Sequence, residues 1–181
     1  MNGMLTRAVL VVLVGLMVAL SIGMGGCQQK LRMGRYDLAV TPDSTLRDGG
    51  RMPLVEVDLV GVAEADIGQW AGYDVSRYFS GEDPLRRSAA GYTRTLTFSN
   101  DNAGTQVISA TDPIWKTWQE RGVTTLFVLA NARTIQFAPG ADFRKKQIPL
   151  TTDKWESGTR RLDIVVTSGK VDCTTPMRVV K

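Results

Sequence analysis

Hydrophobic and polar positions alternate with a period of two over much of the chain. In "LVEVDLVGV" (54–62), Val55, Val57 and Leu59 fall on one face and Glu56 and Asp58 on the other, which predicts a half-buried strand. "YDLAV" (36–40) alternates more weakly and predicts another, and "TPDSTLRDGGRMP" (41–53) between them is a loop by its Pro, Asp and Gly content. "TRTLTFS" (93–99) and "TQVIS" (105–109), joined by the turn-forming "NDNAG", predict a hairpin. "VTTLFVLANA" (123–132), the most apolar run outside the N-terminal segment, predicts a central strand. "KKQIPL" (145–150) and "RRLDIVVTS" (160–168) predict two more, the second with Leu162, Ile164 and Val166 alternating against Asp163 and Val165. Short strands spaced by turns in this way imply a mainly β fold, a two-layer antiparallel β-sandwich.

Two stretches depart from that pattern. Between Ala63 and Tyr92, Trp70, Tyr73, Tyr78 and Phe79 are scattered among Gly, Ser and charged residues, as in short helices laid across a sheet edge. "DPIWKTWQERG" carries clear helix signals: Asp112 as N-cap, Pro113 at the first position, Trp115 and Trp118 three apart on one face, and Gly122 as the stop.

The N-terminal segment has its own pattern. Arg7 supplies a positive start, Ala8 to Ile22 is wholly uncharged, and Gly23 to Gly26 offers small residues before Cys27. That is the layout of a secretory signal. A transmembrane anchor is the competing reading, because the uncharged run from Ala8 to Gly26 approaches the roughly 20 residues that cross a bilayer.

Composition narrows the chemistry. The net charge of +4 falls to +3 without Arg7, a mild excess that gives no case for a nucleic-acid partner. Cys27 and Cys173 are the two cysteines, too few for a disulfide scaffold or a thiolate metal site. There is no histidine, so Ser-His-Asp and Cys-His nucleophile systems and ordinary zinc hydrolase sites are unavailable. A glycosidase built on two carboxylates stays chemically open, although no acid pair recommends itself.

Motif searches add little. The chain has no G-x-G-x-x-G and no G-x-S-x-G, and Gly169-Lys170 lacks the upstream glycine and the following Ser or Thr of a phosphate loop. "NDNAG" lacks the alternating acids and distal glutamate of a calcium loop. No cofactor, metal or catalytic residue is therefore expected. Trp70, Trp115, Trp118 and Trp155 could stack on a sugar ring or cap the core, and burial of large aromatics favours the core. Arg86-Arg87, Lys145-Lys146 with Arg144 beside it, and Arg160-Arg161 could face acidic lipid or a partner, or sit on solvated strand edges. Cys173 in "VDCTTP" reads as a lone semi-buried thiol.

"MGGCQQ" resembles the lipobox of bacterial lipoproteins, matching at Gly25, Gly26 and Cys27 and departing at Met24, where that family prefers leucine. The resemblance implies that Cys27 is diacylated on sulfur, exposed by cleavage and acylated on its new amino group. Two or three acyl chains, at roughly 0.8 kcal/mol per methylene, make such attachment effectively permanent. It also implies that Gln28, in place of aspartate, favours export to the outer membrane. The wider order of segments is similar to the type VI secretion outer-membrane lipoproteins: a lipobox, then "MPLVEVDLVGV", an irregular helical excursion, "LFVLANARTIQF", "RKKQIPL" and "RRLDIVV". That resemblance implies a transthyretin-like sandwich docking the periplasmic domain of a large inner-membrane partner. The excursion from Ala63 to Gly122 is longer than that family needs.

The expected organisation is a signal peptide over 1–26, a lipidated N-terminus and tether over 27–35, and a β-sandwich over 36–181 with one or two short helices in an insertion. The expected role is that of a lipid-anchored, non-enzymatic envelope protein, facing the periplasm from the outer membrane. Its expected partners are membrane lipid, through acylated Cys27, and an envelope protein. A glycan- or small-ligand-binding lipoprotein that uses the tryptophans is the alternative, and a carboxylate enzyme the third reading.

Overall fold

Strands β1 (Asp37–Pro42) and β2 (Val55–Ala63) each carry inward residues for a different wall of one core. The computed structural model describes residues 32–179 apart from 133, 134, 136, 139 and 140, with the backbone alone at 137, 138 and 141. The signal-like segment and Cys27 lie outside the described residues. After β2 come three short helices, α1 (Ile67–Gly72), α2 (Val75–Tyr78) and α3 (Pro84–Ala89). Then follow β3 (Thr93–Phe98), β4 (Gln106–Ile108), helix α4 (Ile114–Glu120) and β5 (Val123–Asn131). The chain continues through a small ribbon of β6 (Phe137–Ala138) and β7 (Ala141–Asp142) to β8 (Lys145–Pro149), β9 (Arg161–Val166) and β10 (Val171–Cys173).

The main strands form two four-stranded sheets, β10-β9-β1-β4 and β3-β2-β5-β8. The fold is a mainly β two-layer sandwich, as the alternation predicts. Pairing is antiparallel except between β1 and β9, which run parallel with Leu38 opposite Leu162 and Val40 opposite Ile164. Between the sheets lie Leu38, Val40, Leu162, Ile164 and Val166 from one wall and Val57, Leu59, Leu126, Val128 and Ile148 from the other, all buried. β5 is central in its sheet, as its apolar run predicts. β10 and the β6–β7 ribbon are additions that three- and two-residue strands are too short to announce by periodicity.

Three expectations are corrected. β3 and β4 do not form a hairpin: β3 pairs with β2 and β4 with β1, so the chain crosses from one sheet to the other through the turn closed by Ser99 and Asn102. The crossing brings Phe98 and Ile108 into the shared core from opposite walls. β2 is not half-buried, because its second face is covered as well: Val60 and Val62, with Phe127 and Leu129 of β5, pack against Trp70, Val75, Tyr78 and Ala89 of α1 to α3. The helices therefore lie over a sheet face, not an edge. An antiparallel sheet with both faces covered carries apolar residues in both alternation phases, and "VDLVGV" does so.

Local capping explains where the helices begin. Asp74 accepts from Ser76 N–H at 2.7 Å, and Asp83 accepts from Arg86 N–H at 2.9 Å with Pro84 at the first position of α3. At α4 the helix starts one residue later than predicted, with Pro113 at the N-cap and Asp112 Oδ1 accepting from Ile114 N–H at 2.8 Å, while Gly122 takes φ +66° just past its end, as predicted.

Candidate functional site

The chain enters the sandwich already bonded to it. Thr152 N–H donates to the Arg32 carbonyl at 3.1 Å and Gly34 N–H to the Leu150 carbonyl at 2.8 Å, while Met33 bridges Thr151. Arg32, Met33 and Gly34, within the segment expected as a tether, are thus bonded to the loop after β8. Beside this entry lies an open cleft of about 370 Å³, lined in part by Arg35, Tyr36, Trp155, Glu156, Gly158 and Arg178. The segment after β10 closes one side: Arg178 N–H donates to the Lys154 carbonyl at 2.9 Å and Met177 bridges Trp155. Trp155 is fixed by its indole N–H on the Pro149 carbonyl at 2.9 Å and by an edge contact with Tyr36, so its ring walls the cleft while only 2% of the residue is exposed.

The polar centre of the molecule lies elsewhere, between the second sheet and its helices. Asp58 is buried and accepts from Tyr78 Oη at 2.9 Å, Arg86 Nε at 3.0 Å and Thr95 Oγ1 at 2.6 Å. Arg86 also pairs with Glu56, and its guanidinium lies 4.9 Å from the centre of the Phe79 ring. Burial pushes the Tyr78 hydroxyl well above the usual tyrosine range, and the Asp58 charge adds to the effect. No buried side-chain nitrogen or oxygen among the described residues lacks a partner, and this cluster fastens the helical layer to the sheet. Among the described residues no group of three or more His, Cys, Asp or Glu could hold a metal ion.

The basic residues divide between bonds within the fold and the solvated surface. Arg86 belongs to the Asp58 cluster, and Arg144 forms a two-point pair with Asp142 at 2.9 and 2.7 Å. Lys145 Nζ donates to the carbonyls of Trp70, Ala71 and Tyr73 at 3.2, 2.6 and 2.8 Å, closing the C-terminal end of α1. Its burial lowers the ammonium pKa. Lys146 pairs with Asp172 at 2.7 Å across β8 and β10. Arg87 and Arg160 are exposed, and Arg161 pairs with Asp163 on the surface.

The four tryptophans are all buried in the cores of the fold, each at most 2% exposed, and Trp155 alone among them lines the cleft. Trp115 and Trp118 are fully buried in a T-shaped pair 4.9 Å apart, and Trp70 packs on Tyr78 and Phe127. Cys173 is a half-buried free thiol whose pKa burial raises. Arg35 and Arg178 were not marked by any motif, because residues so far apart in sequence meet only through the fold.

No protein-family model matches the chain, and no curated protein matches it. Solved structures do resemble its fold. A chain of the structure of the type VI secretion protein TssM C-terminal domain from EAEC superimposes with a TM-score of 0.52 at 11% identity, covering 76% of this chain and 98% of that one. A chain of a type VI membrane complex does so at 0.51 and 12% identity, covering 78% and 98%. The type VI secretion lipoprotein TssJ1 from Pseudomonas aeruginosa gives 0.49 at 14% identity, covering 83% and 100%. At such identities the likeness is one of fold. The sandwich is similar in fold to chains of the first two of these type VI secretion structures.

Proposed function

We propose that this chain is a lipid-anchored, non-enzymatic envelope protein that serves in a type VI secretion membrane complex. The observation that carries the reading is the match of the whole sandwich to chains of type VI assemblies at TM-scores of 0.52 and 0.51, each covered over 98% of its length. In this reading residues 1–26 are a cleaved signal, Cys27 is acylated, and Gln28 directs the protein to the outer membrane with its domain in the periplasm. The polar groups buried in the fold are consumed by its own ion pairs, which suits a docking protein better than a catalyst.

The test has two parts. Mass spectrometry of the mature N-terminus is expected to show an acylated Cys27, and an unmodified or uncleaved residue overturns the anchor. Mild crosslinking in intact envelopes, followed by capture of this protein, is expected to recover components of a type VI membrane complex. Recovery of no protein partner overturns the assembly role.

A further inference from the structure

We infer that the cleft beside the chain entry is a binding site for the headgroup of an anionic phospholipid in the leaflet that holds the anchor. The inference rests on the proposed acylation of Cys27. From Cys27 to Arg32 there are five peptide units, and at about 3.3–3.6 Å each they span at most about 18 Å. Arg32 is hydrogen-bonded into the domain, so the end of the sandwich that carries it is held close to the bilayer surface.

That end has the chemistry of a membrane contact. Arg32, Arg35, Lys154, Arg160 and Arg178 are exposed there, brought together by the Arg32–Thr152, Asp37–Arg160 and Lys154–Arg178 backbone bonds. They stand against Asp153, which Lys154 already pairs at 3.2 Å, and Glu156. Arg35 spends one guanidinium nitrogen on Gln119 Oε1 at 2.9 Å, and the Arg178 side chain makes no bond among the described residues. Both line the cleft, where a phosphate diester would receive charge-assisted bonds from two sides. The turn from Glu156 to Thr159, closed by a 3.1 Å bond, presents the N–H groups of Ser157 and Gly158, neither of which has a partner among the described residues. Met177 and Val179, 50% and 78% exposed, flank Arg178 and add apolar side chains suited to the boundary between headgroups and acyl chains. A cationic cleft with an apolar rim, a few residues from a lipid attachment point, fits a phospholipid better than a free anion.

The experiment uses the full chain, purified from envelopes and placed in nanodiscs of phosphatidylcholine with or without phosphatidylglycerol, and reads amide hydrogen exchange. Exchange at Ser157, Gly158 and Thr159 is expected to slow about tenfold with phosphatidylglycerol. The slowing should vanish in Arg35→Gln/Arg178→Gln and persist in Arg35→Lys/Arg178→Lys. Equal exchange in both discs, or slowing that survives the glutamine substitutions, overturns the inference. The same slowing from inorganic phosphate in phosphatidylcholine discs also overturns it, since the site would then take a free anion. The N-terminal mass of the same sample separates the two readings: an unacylated Cys27 removes the anchor and the inference with it, whereas acylated protein without slowing removes the cleft inference alone.

Discussion

The Trp118 indole packs against Gly61, and a Cβ at Gly61 would run into the ring. Gly61 continues the inward face of Val57 and Leu59 on β2, so its missing side chain is the recess that lets α4 bring Trp118 into the core. The indole N–H then reaches the Tyr92 carbonyl at 2.8 Å. Helix α4 and strand β2 are thereby locked through one residue with no side chain.

Gly61→Ala is expected to destabilise the domain by about 1–3 kcal/mol through overpacking. Chemical denaturation checks this, and the double variant with Trp118→Leu should lose less than the sum of the two single losses. Strictly additive losses would place the cost elsewhere.

Trp115→Ala should cost about 3–5 kcal/mol and be felt globally, because the ring is buried between Tyr36 and Trp118. Calorimetry tests the size. A variant that kept wild-type stability and lost binding to a glycan would restore the ligand-platform reading.

Asp58→Ala leaves Arg86, Tyr78 and Thr95 without their shared acceptor, and the expected loss is about 3 kcal/mol. Tyr78→Phe removes one neutral donor and should cost about 1 kcal/mol. A double-mutant cycle between positions 58 and 78 is expected to give clear coupling, since the two side chains touch.

Asp172 makes part of the stability depend on pH. The hydrogen bonds from Lys146 and then Lys170 hold its carboxyl at about 2, below the ordinary aspartate value. A depressed folded value means that the contribution is complete above the unfolded value, about 3.9, and is lost as pH falls toward 2. Solvent screening of the exposed lysines keeps it to about 1 kcal/mol. Unfolding free energies of wild type and Asp172→Asn should differ at pH 6 and draw together as pH falls through about 2; a constant gap would contradict the assignment.

Lys145→Met keeps the stem of the side chain and removes the cation from the carbonyls of Trp70, Ala71 and Tyr73. Hydrogen exchange should quicken across α1 and the following turn while β5 and β8 remain protected.

Periodicity and turn chemistry act over a few residues, and what they control was legible in the chain. The alternation of Leu162, Ile164 and Val166 reports one buried face, and Asp112, Pro113 and Gly122 mark the ends of a helix through bonds made within a turn of each other. Cys27 after two glycines is a local pattern too, and it points to location rather than activity. The tertiary structure decided the rest. Whether β3 and β4 pair with each other or with different sheets depends on which distant strand buries Phe98 and Ile108, and no nearby residue encodes that choice. Arg86 looked like a surface charge until the fold set it against Asp58 and Glu56. Arg35 and Arg178 share a cleft only because the entry of the chain and its last described residues are bonded to the same loop. A sequence records which faces seek burial; three-dimensional packing chooses the partner, because burial is satisfied by any apolar surface of the right shape.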